Sequence, residues 1–111
     1  MDYINILRYT YFMRIEIDQS GKIENTNRLT VIAYSNSENK SISIAAKDKK
    51  NIQTTFRRIG QPKIFCYKLF AVLIFVLIKN KLKIMDQIII DTEYPGYEKM
   101  IANFILNENK Y

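Results

Sequence analysis

The sequence predicts a single α/β domain: a three-stranded antiparallel meander, two helices, one further buried strand and a C-terminal helix. Three observations predict this class. Apolar and polar residues alternate in the first half of the chain, the period becomes helical after residue 46, and a β-branched run returns at residues 87–90. Because 111 residues is the length of one domain, we treat residues 1–111 as a single unit, with residues 1–12 as an N-terminal extension.

The meander consists of three predicted strands, at residues 12–18, 29–34 and 41–46. In the first of them, Met13, Ile15 and Ile17 alternate with charged neighbours, which is the period of a half-buried strand. Short polar turn segments separate the three runs. Consecutive strands joined by such turns are typical of an antiparallel sheet with one wetter face.

Two helices are predicted after the meander. The first takes Asp48 as its N-cap and ends before Gly60. Its apolar face is formed by Ile52, Phe56 and Ile59. The second begins at Pro62, a residue suited to the first turn of a helix, and ends in the lysines of residues 79–83, which complement the negative end of the helix dipole.

The last strand and helix follow from the end of the sequence. The continuous β-branched run at residues 87–90 predicts a central strand buried on both faces. Pro95 and Gly96 then break the chain. A final helix is predicted from the spacing of Tyr97, Ile101, Phe104 and Ile105. Helices are expected to pack on the faces of the resulting sheet.

Composition excludes several kinds of chemistry. The chain contains no His and one Cys, so catalysis by Ser-His-Asp or Cys-His and zinc sites of the Cys/His type are excluded. Cys66 has apolar neighbours, which predicts an inert buried thiol. A lone thiol and an N-terminus without the pattern of a signal peptide indicate a cytoplasmic protein.

Positive charge is concentrated in the middle of the chain. The whole chain has a formal net charge of +6, whereas residues 40–83 hold eleven basic residues and one acidic residue, a net charge of +10. Such a block favours a polyanionic partner, nucleic acid or an anionic membrane, and is equally typical of a solvated face. The residues that we predict to contact nucleic acid are Lys49, Lys50, Arg57, Arg58 and Lys63. Six tyrosines are candidates for base stacking or for core edges: Tyr9, Tyr11, Tyr34, Tyr67, Tyr94 and Tyr97.

The apolar segment at residues 64–78 supports an alternative function. Its uninterrupted part has ten residues, whereas a membrane-spanning helix needs about 20. We therefore prefer a helix buried against the sheet. The alternative is a membrane-associated or protein-interaction protein that presents this helix to lipid or to a partner, and a second copy of the chain could also cover it in a homodimer.

Acidic residues lie where ligands gather in α/β sheets. Asp18 ends the first predicted strand, and Asp91 ends the last one, with Glu93 and Glu98 shortly after it. If these two strands are neighbours, Asp18 and Asp91 face each other, which like charges tolerate with a cation such as Mg²⁺ or Mn²⁺ between them. The alternative is that these acids are ordinary turn and cap residues.

Residues 15–21 and 88–91, each a hydrophobic run that leads to an acid, resemble the acidic framework of the ribonuclease H-like superfamily. The resemblance covers roughly residues 13–98. It implies a first strand that offers an Asp, an antiparallel meander that leads to a helix, and a neighbouring strand that ends in a second acid. It also implies Mg²⁺ or Mn²⁺ bound by Asp18 and Asp91, with Glu98 as a further ligand and Glu93 in the catalytic set, for two-metal hydrolysis of a phosphodiester.

Two departures from that superfamily bear on activity. The first predicted helix contains no Glu, although the corresponding helix often supplies a metal ligand, and no strand and helix follow residue 105 to complete the usual fold. A two-metal site needs several carboxylates. We therefore expect a shortened or inactive relative in which nucleic-acid binding is favoured over nuclease activity.

Overall fold

The computed structural model describes residues 3–7, 14–35, 39–81, 87–91 and 93–108. Within them, the strands are Tyr3–Leu7 (β1), Arg14–Ser20 (β2), Thr30–Ser35 (β3), Asn39–Ile44 (β4) and Gln87–Asp91 (β5). The helices are Ala46–Arg58 (α1), Phe65–Ile78 (α2) and Glu98–Glu108 (α3), and short 3-10 turns at Pro62–Ile64 and Lys79–Lys81 flank α2. The predicted α/β class and the antiparallel meander are confirmed.

The sheet has the strand order β1-β5-β2-β3-β4. Strands β2, β3 and β4 form the meander, with Asp18 opposite Ala33 and Ile32 opposite Ile42. The two helices of the crossover then carry the chain back to β5, which pairs with β2 in parallel. A parallel neighbour requires a long connection of this kind, and α1 and α2 supply it.

Strand β1 comes from the segment that we interpreted as an extension. Tyr3–Leu7 lies at one edge of the sheet and pairs with β5 in antiparallel orientation, with Asn5 opposite Ile89. The sequence could not identify this pairing because the partner strand lies near the other end of the chain. The remainder of residues 1–12 lies outside the described residues.

Helices cover one face of the sheet. Ile17, Ile32 and Tyr34 are buried together with residues of α2 and α3 in a single core. On the opposite face, Glu16, Asp18 and the serines of β4 are exposed. Among the described residues the helices cover only the face that carries Ile17, Ile32 and Tyr34, so the expectation of helices on the faces of the sheet is met on one side.

Helix α2 lies in the middle of the core, as predicted. Its buried residues are Phe65, Leu69, Phe70, Ala71, Leu73, Ile74 and Ile78. Val76 is exposed, so the helix has one side toward solvent. In the part of the chain that the structure describes, no helix combines the length and the apolar content needed to cross a bilayer. The apolar residues of the segment at 64–78 are mostly used to form the core.

The bounds of α1 differ from the prediction in two details. The helix begins at Ala46, with Ala45 as its N-cap, so Asp48 lies in the first turn and not at the cap. Ile59 lies beyond the last helical residue and is 58% exposed, so it does not face the core. Gly60 has a φ of 77°, a left-handed conformation that terminates helices, and the predicted end at this glycine is confirmed.

Candidate functional site

The aspartates predicted to form a pair lie on neighbouring strands. Ile17 of β2 is opposite Ile90 of β5 in the parallel register, so Asp18 and Asp91 occupy the next position on each strand. The condition that the sequence analysis set for the pair is therefore met at the level of the backbone. The Asp18 side chain is exposed, and its Oδ1 accepts a hydrogen bond of 2.9 Å from the N–H of Gln19. The side chain of Asp91 lies outside the described residues.

The two glutamates of the predicted site follow β5. Glu93 lies in the connection between β5 and α3, and Glu98 begins α3; both side chains are half-buried. Among the described residues, no group of three or more Asp, Glu, His or Cys side chains is arranged to hold a metal. Carboxylate oxygens are the ligands that Mg²⁺ and Mn²⁺ prefer, and Asp18 presents one such group at the surface.

Lys49, predicted to contact nucleic acid, is instead completely buried. Its Nζ donates to the carbonyl oxygens of Asn25 at 2.7 Å and Lys22 at 3.2 Å, and to Oγ1 of Thr30 at 2.9 Å. An ammonium has three donors, and three oxygens receive them. Lys49 therefore fastens the loop between β2 and β3 to α1, and it offers no charge to a phosphate at the surface.

Burial and a nearby carboxylate act on the pKa of Lys49 in opposite directions. Burial lowers the pKa of the Lys49 ammonium, because removal from water disfavours the charged form. The nearby carboxylate of Glu24 acts in the other direction and raises this pKa. Glu24 belongs to the loop that Lys49 holds, so the loop supplies both the oxygens and the negative charge. We did not single out Glu24 from the sequence, where it stands in a polar turn segment.

Tyr94 connects the same loop to the segment after β5. Its buried hydroxyl accepts a hydrogen bond of 3.3 Å from the N–H of Ile23 and lies 3.4 Å from Oε1 of Glu24 and 3.5 Å from Oε1 of Gln19. Burial, and then the charge of Glu24, raise the pKa of Tyr94, so the phenol stays neutral. Tyr94 therefore fills a core edge: its ring packs against Tyr67 and Phe70 of α2, and its hydroxyl contacts Gln19 of β2 and the loop that follows.

Cys66 lies in the first turn of α2, where the charge of Glu24 acts on it. The side chain is half-buried, and burial followed by the charge of Glu24 raises the pKa of the thiol to about 11. A thiol with such a pKa is protonated at neutral pH and is a poor nucleophile. The thiol is less buried than the sequence predicted, and its raised pKa agrees with the expectation that it is not a nucleophile.

The remaining predicted cations form a basic face on α1 and the turn that follows. Lys50, Arg57, Arg58 and Lys63 are all exposed. The exposed residue Lys47, which we had not included, precedes Lys50 by three positions and therefore lies on the same side of the helix. We call these five residues the basic face. It lies on the helix side of the sheet, whereas Asp18 is exposed on the opposite face.

The chain matched no protein family, no curated protein and no solved structure. Function is therefore inferred from the arrangement of its own residues. That arrangement places the exposed carboxylate of Asp18 on the sheet face away from the helices, and several exposed cations on α1. The cations can attract a phosphate backbone, and the carboxylate can offer oxygen ligands to a divalent ion.

Proposed function

We propose that this chain is a small ribonuclease H-like domain that binds nucleic acid through the basic face, with Mg²⁺ or Mn²⁺ held between Asp18 and Asp91. The observation that carries the proposal is the distribution of charge on α1. Asp48 is the one acidic residue of this helix, and it stands one and two positions from Lys47 and Lys50. Residues at these spacings do not face each other on a helix, so the basic face contains no acid.

Burial of Lys49 strengthens this argument. The lysine that the fold needs for its own structure points inward, whereas Lys50, Arg57 and Arg58 contribute no hydrogen bond from their side chains among the described residues. Their charges are therefore free to meet phosphates. A helix face of this kind contacts the backbone of nucleic acid and does not read base sequence.

The arrangement of strands supports the metal part of the proposal. An acid on the first meander strand and an acid at the end of its parallel neighbour are what the resemblance to the ribonuclease H-like superfamily implies, and Asp18 and Asp91 stand in those positions. Neighbouring carboxylates repel each other, and a bound cation removes the repulsion. A phosphodiester-cleaving site would need further ligands, for which Glu93 and Glu98 are the candidates.

Binding through the basic face is tested by its dependence on salt. We expect the affinity of the wild type for a fluorescent oligonucleotide to fall steeply between about 50 and 200 mM salt, because bound phosphates release counterions. The variant Lys50→Gln/Arg57→Gln/Arg58→Gln should bind more weakly. Its slope of log affinity against log salt should be smaller by about 2 to 3, since each lost phosphate contact removes about 0.7 to 0.9.

The matched control removes the same charge from elsewhere. Lys40, Lys79 and Lys99 are exposed and lie outside the basic face, so the variant with all three changed to Gln has the same net charge as the test variant. We expect it to retain most of the wild-type slope. Equal losses in the two variants would show a response to net charge alone and would contradict a binding face on α1.

The metal is tested by thermal unfolding with and without Mn²⁺. A ligand that binds only the folded state raises the unfolding temperature, so we expect Mn²⁺ to stabilise the wild type and not Asp18→Asn or Asp91→Asn. Asp48→Asn, which changes an exposed acid on α1, should retain the response. A wild type that does not respond, or a response that survives in both aspartate variants, would contradict the site.

A further inference from the structure

Two tyrosine rings form a stack where α2 and α3 begin. Tyr67, in the first turn of α2, and Tyr97, directly before α3, have ring centroids 4.0 Å apart and planes inclined by 13°. Tyr67 is half-buried, whereas Tyr97 is 40% exposed. Because Tyr67 covers one side of the Tyr97 ring, a ligand can stack on this ring only from the other side.

The backbone holds Tyr97 in place on both sides. The N–H of Tyr97 donates to the carbonyl oxygen of Tyr94 at 3.1 Å, and the carbonyl oxygen of Tyr97 accepts the N–H of Ile101 at 3.0 Å. Pro95 and Gly96, which has a φ of 89°, occupy the two central positions of the turn that the first bond closes. Pro followed by a Gly with positive φ is the signature of a type II turn. The backbone that carries the Tyr97 ring is therefore held in one conformation.

The inner ring of the stack is anchored to the core. Tyr67 packs edge-on against Tyr94, with centroids 5.6 Å apart and planes at 83°, and Tyr94 packs in the same way against Phe70. Phe70 is completely buried. The stack is thus ordered before any ligand arrives, so binding to it does not cost the entropy of immobilising these side chains.

Tyr97 is unusual for its exposure. Of the large apolar side chains that are exposed in the described part of the chain, it is the one aromatic residue. Burial, and then a hydrogen bond with Tyr97, raise the pKa of Tyr67 to about 12, so the inner phenol is uncharged at neutral pH and does not repel phosphates. Exposed Lys63, in the turn before α2, stands four residues before Tyr67 and is the residue of the basic face nearest to the stack in sequence.

We propose that the Tyr67–Tyr97 stack is a platform for an unpaired base, so that the nucleic acid bound by this domain is single-stranded. The proposal rests on the function proposed above and names the class of its ligand. Every base has a flat π-face that stacks on an aromatic ring, whereas the bases of a duplex are already stacked on one another. Phosphates on the basic face and a base on Tyr97 together describe a site for a single strand.

The test separates the base from the phosphate backbone. Binding by fluorescence anisotropy is compared for a short oligothymidylate, an abasic strand with the same number of phosphates, and a duplex of equal length. We expect the wild type to bind oligothymidylate more tightly than the abasic strand. Tyr97→Ala should weaken oligothymidylate binding by about 5- to 150-fold, the range for loss of one stacked base, and should leave abasic-strand binding and its salt dependence unchanged.

Three further variants distinguish loss of the stacked ring from general damage. Tyr97→Phe keeps the ring and should bind like the wild type, and Tyr97→Leu keeps apolar bulk without a π-face and should bind like Tyr97→Ala. Ile59→Ala, at another exposed apolar residue, should have no effect. If the wild type binds all three nucleic acids equally, or if Tyr97→Leu retains its preference for oligothymidylate, the stacking platform is wrong and the basic face stands. If the wild type binds none of them, both proposals are wrong.

Discussion

Lys49 and Lys50 show how far a single position can be predicted. They are adjacent residues of one type, yet Lys49 is completely buried and Lys50 is exposed. The helical period contained the information, because Lys49 precedes Ile52 by three positions and Phe56 by seven, which places it on the half-buried side of α1. What the sequence could not supply is the ring of oxygens from the loop after β2, without which a buried ammonium would be too costly.

Replacement of Lys49 should therefore affect stability, whereas replacement of Lys50 should not. Lys49→Met retains the apolar length of the side chain but removes the donor of three hydrogen bonds, one of them to the buried Thr30, and we expect it to lower the free energy of unfolding by about 1 to 3 kcal/mol. Lys50→Met should change it by less than about 0.5 kcal/mol. Urea denaturation measures both, and equal effects would contradict a structural role for Lys49.

For Asp18 and Asp91, the sequence predicts the position of each residue but not that the two are neighbours. Their positions at strand ends could be read from the sequence, because each follows a hydrophobic run. Whether they are neighbours depends on the pairing of β2 with β5, which no local pattern specifies. The same holds for Glu24 and Tyr94, which are 70 residues apart and approach to 3.4 Å only because the two parallel strands end side by side.

The periodicity of apolar residues predicted most of the strands and helices of the structure. The meander, α1, α2, β5 and α3 appear where alternating, helical or continuous apolar patterns stand, with strand bounds shifted by one or two residues. Ends are harder because they depend on tertiary contacts. Strand β2 continues to Ser20, into residues that the sequence predicts as a turn. Gly21 then allows the backbone to approach Leu29 closely.

Gly21 and Gly60 provide a matched test of that close approach. Both have a φ near 78°, at 78° and 77°, so alanine is strained at either position. A Cβ on Gly21 would overlap the carbonyl oxygen of Leu29, whereas a Cβ on Gly60 would meet open space. We expect Gly60→Ala to lower the free energy of unfolding by about 1 to 2 kcal/mol, the cost of the left-handed conformation, and Gly21→Ala to lower it by more.

The comparison isolates the steric effect, because the conformational cost is shared by the two substitutions. Denaturation curves of the two variants and the wild type should therefore rank in the order wild type, Gly60→Ala, Gly21→Ala. A Gly21→Ala variant as stable as Gly60→Ala would mean that the loop between β2 and β3 moves away from Leu29 without cost, and that the loop held by Lys49 is less tightly fixed than the structure indicates.

At the scale of the whole molecule, the order of the strands is the feature that sequence patterns could not predict. Strand β5 is internal because β1 covers one of its edges and β2 the other. Its continuous apolar run fits this position, but the run does not say which strands are its neighbours. The segment that forms β1 also contacts α3, so it closes both the sheet and the layer of helices.

Removal of residues 1–8 tests this closing role. Without β1, strand β5 becomes an edge with unpaired backbone groups, and α3 loses a contact. We expect the free energy of unfolding to fall by about 2 kcal/mol or more, since several backbone hydrogen bonds of about 1 kcal/mol each are lost. We also expect the truncated chain to associate at high concentration, because an exposed edge strand pairs with other chains.

Addition of the missing segment distinguishes a lost strand from general damage. A peptide of residues 1–12 can occupy the vacated edge in trans, so it should raise the unfolding temperature of the truncated chain in a concentration-dependent way, as a ligand of the folded state does. A scrambled peptide of the same composition should not. If the truncated chain unfolds at the wild-type temperature and the peptide does not change that temperature, β1 contributes nothing to stability. Strand β5 would then be a stable edge strand by itself.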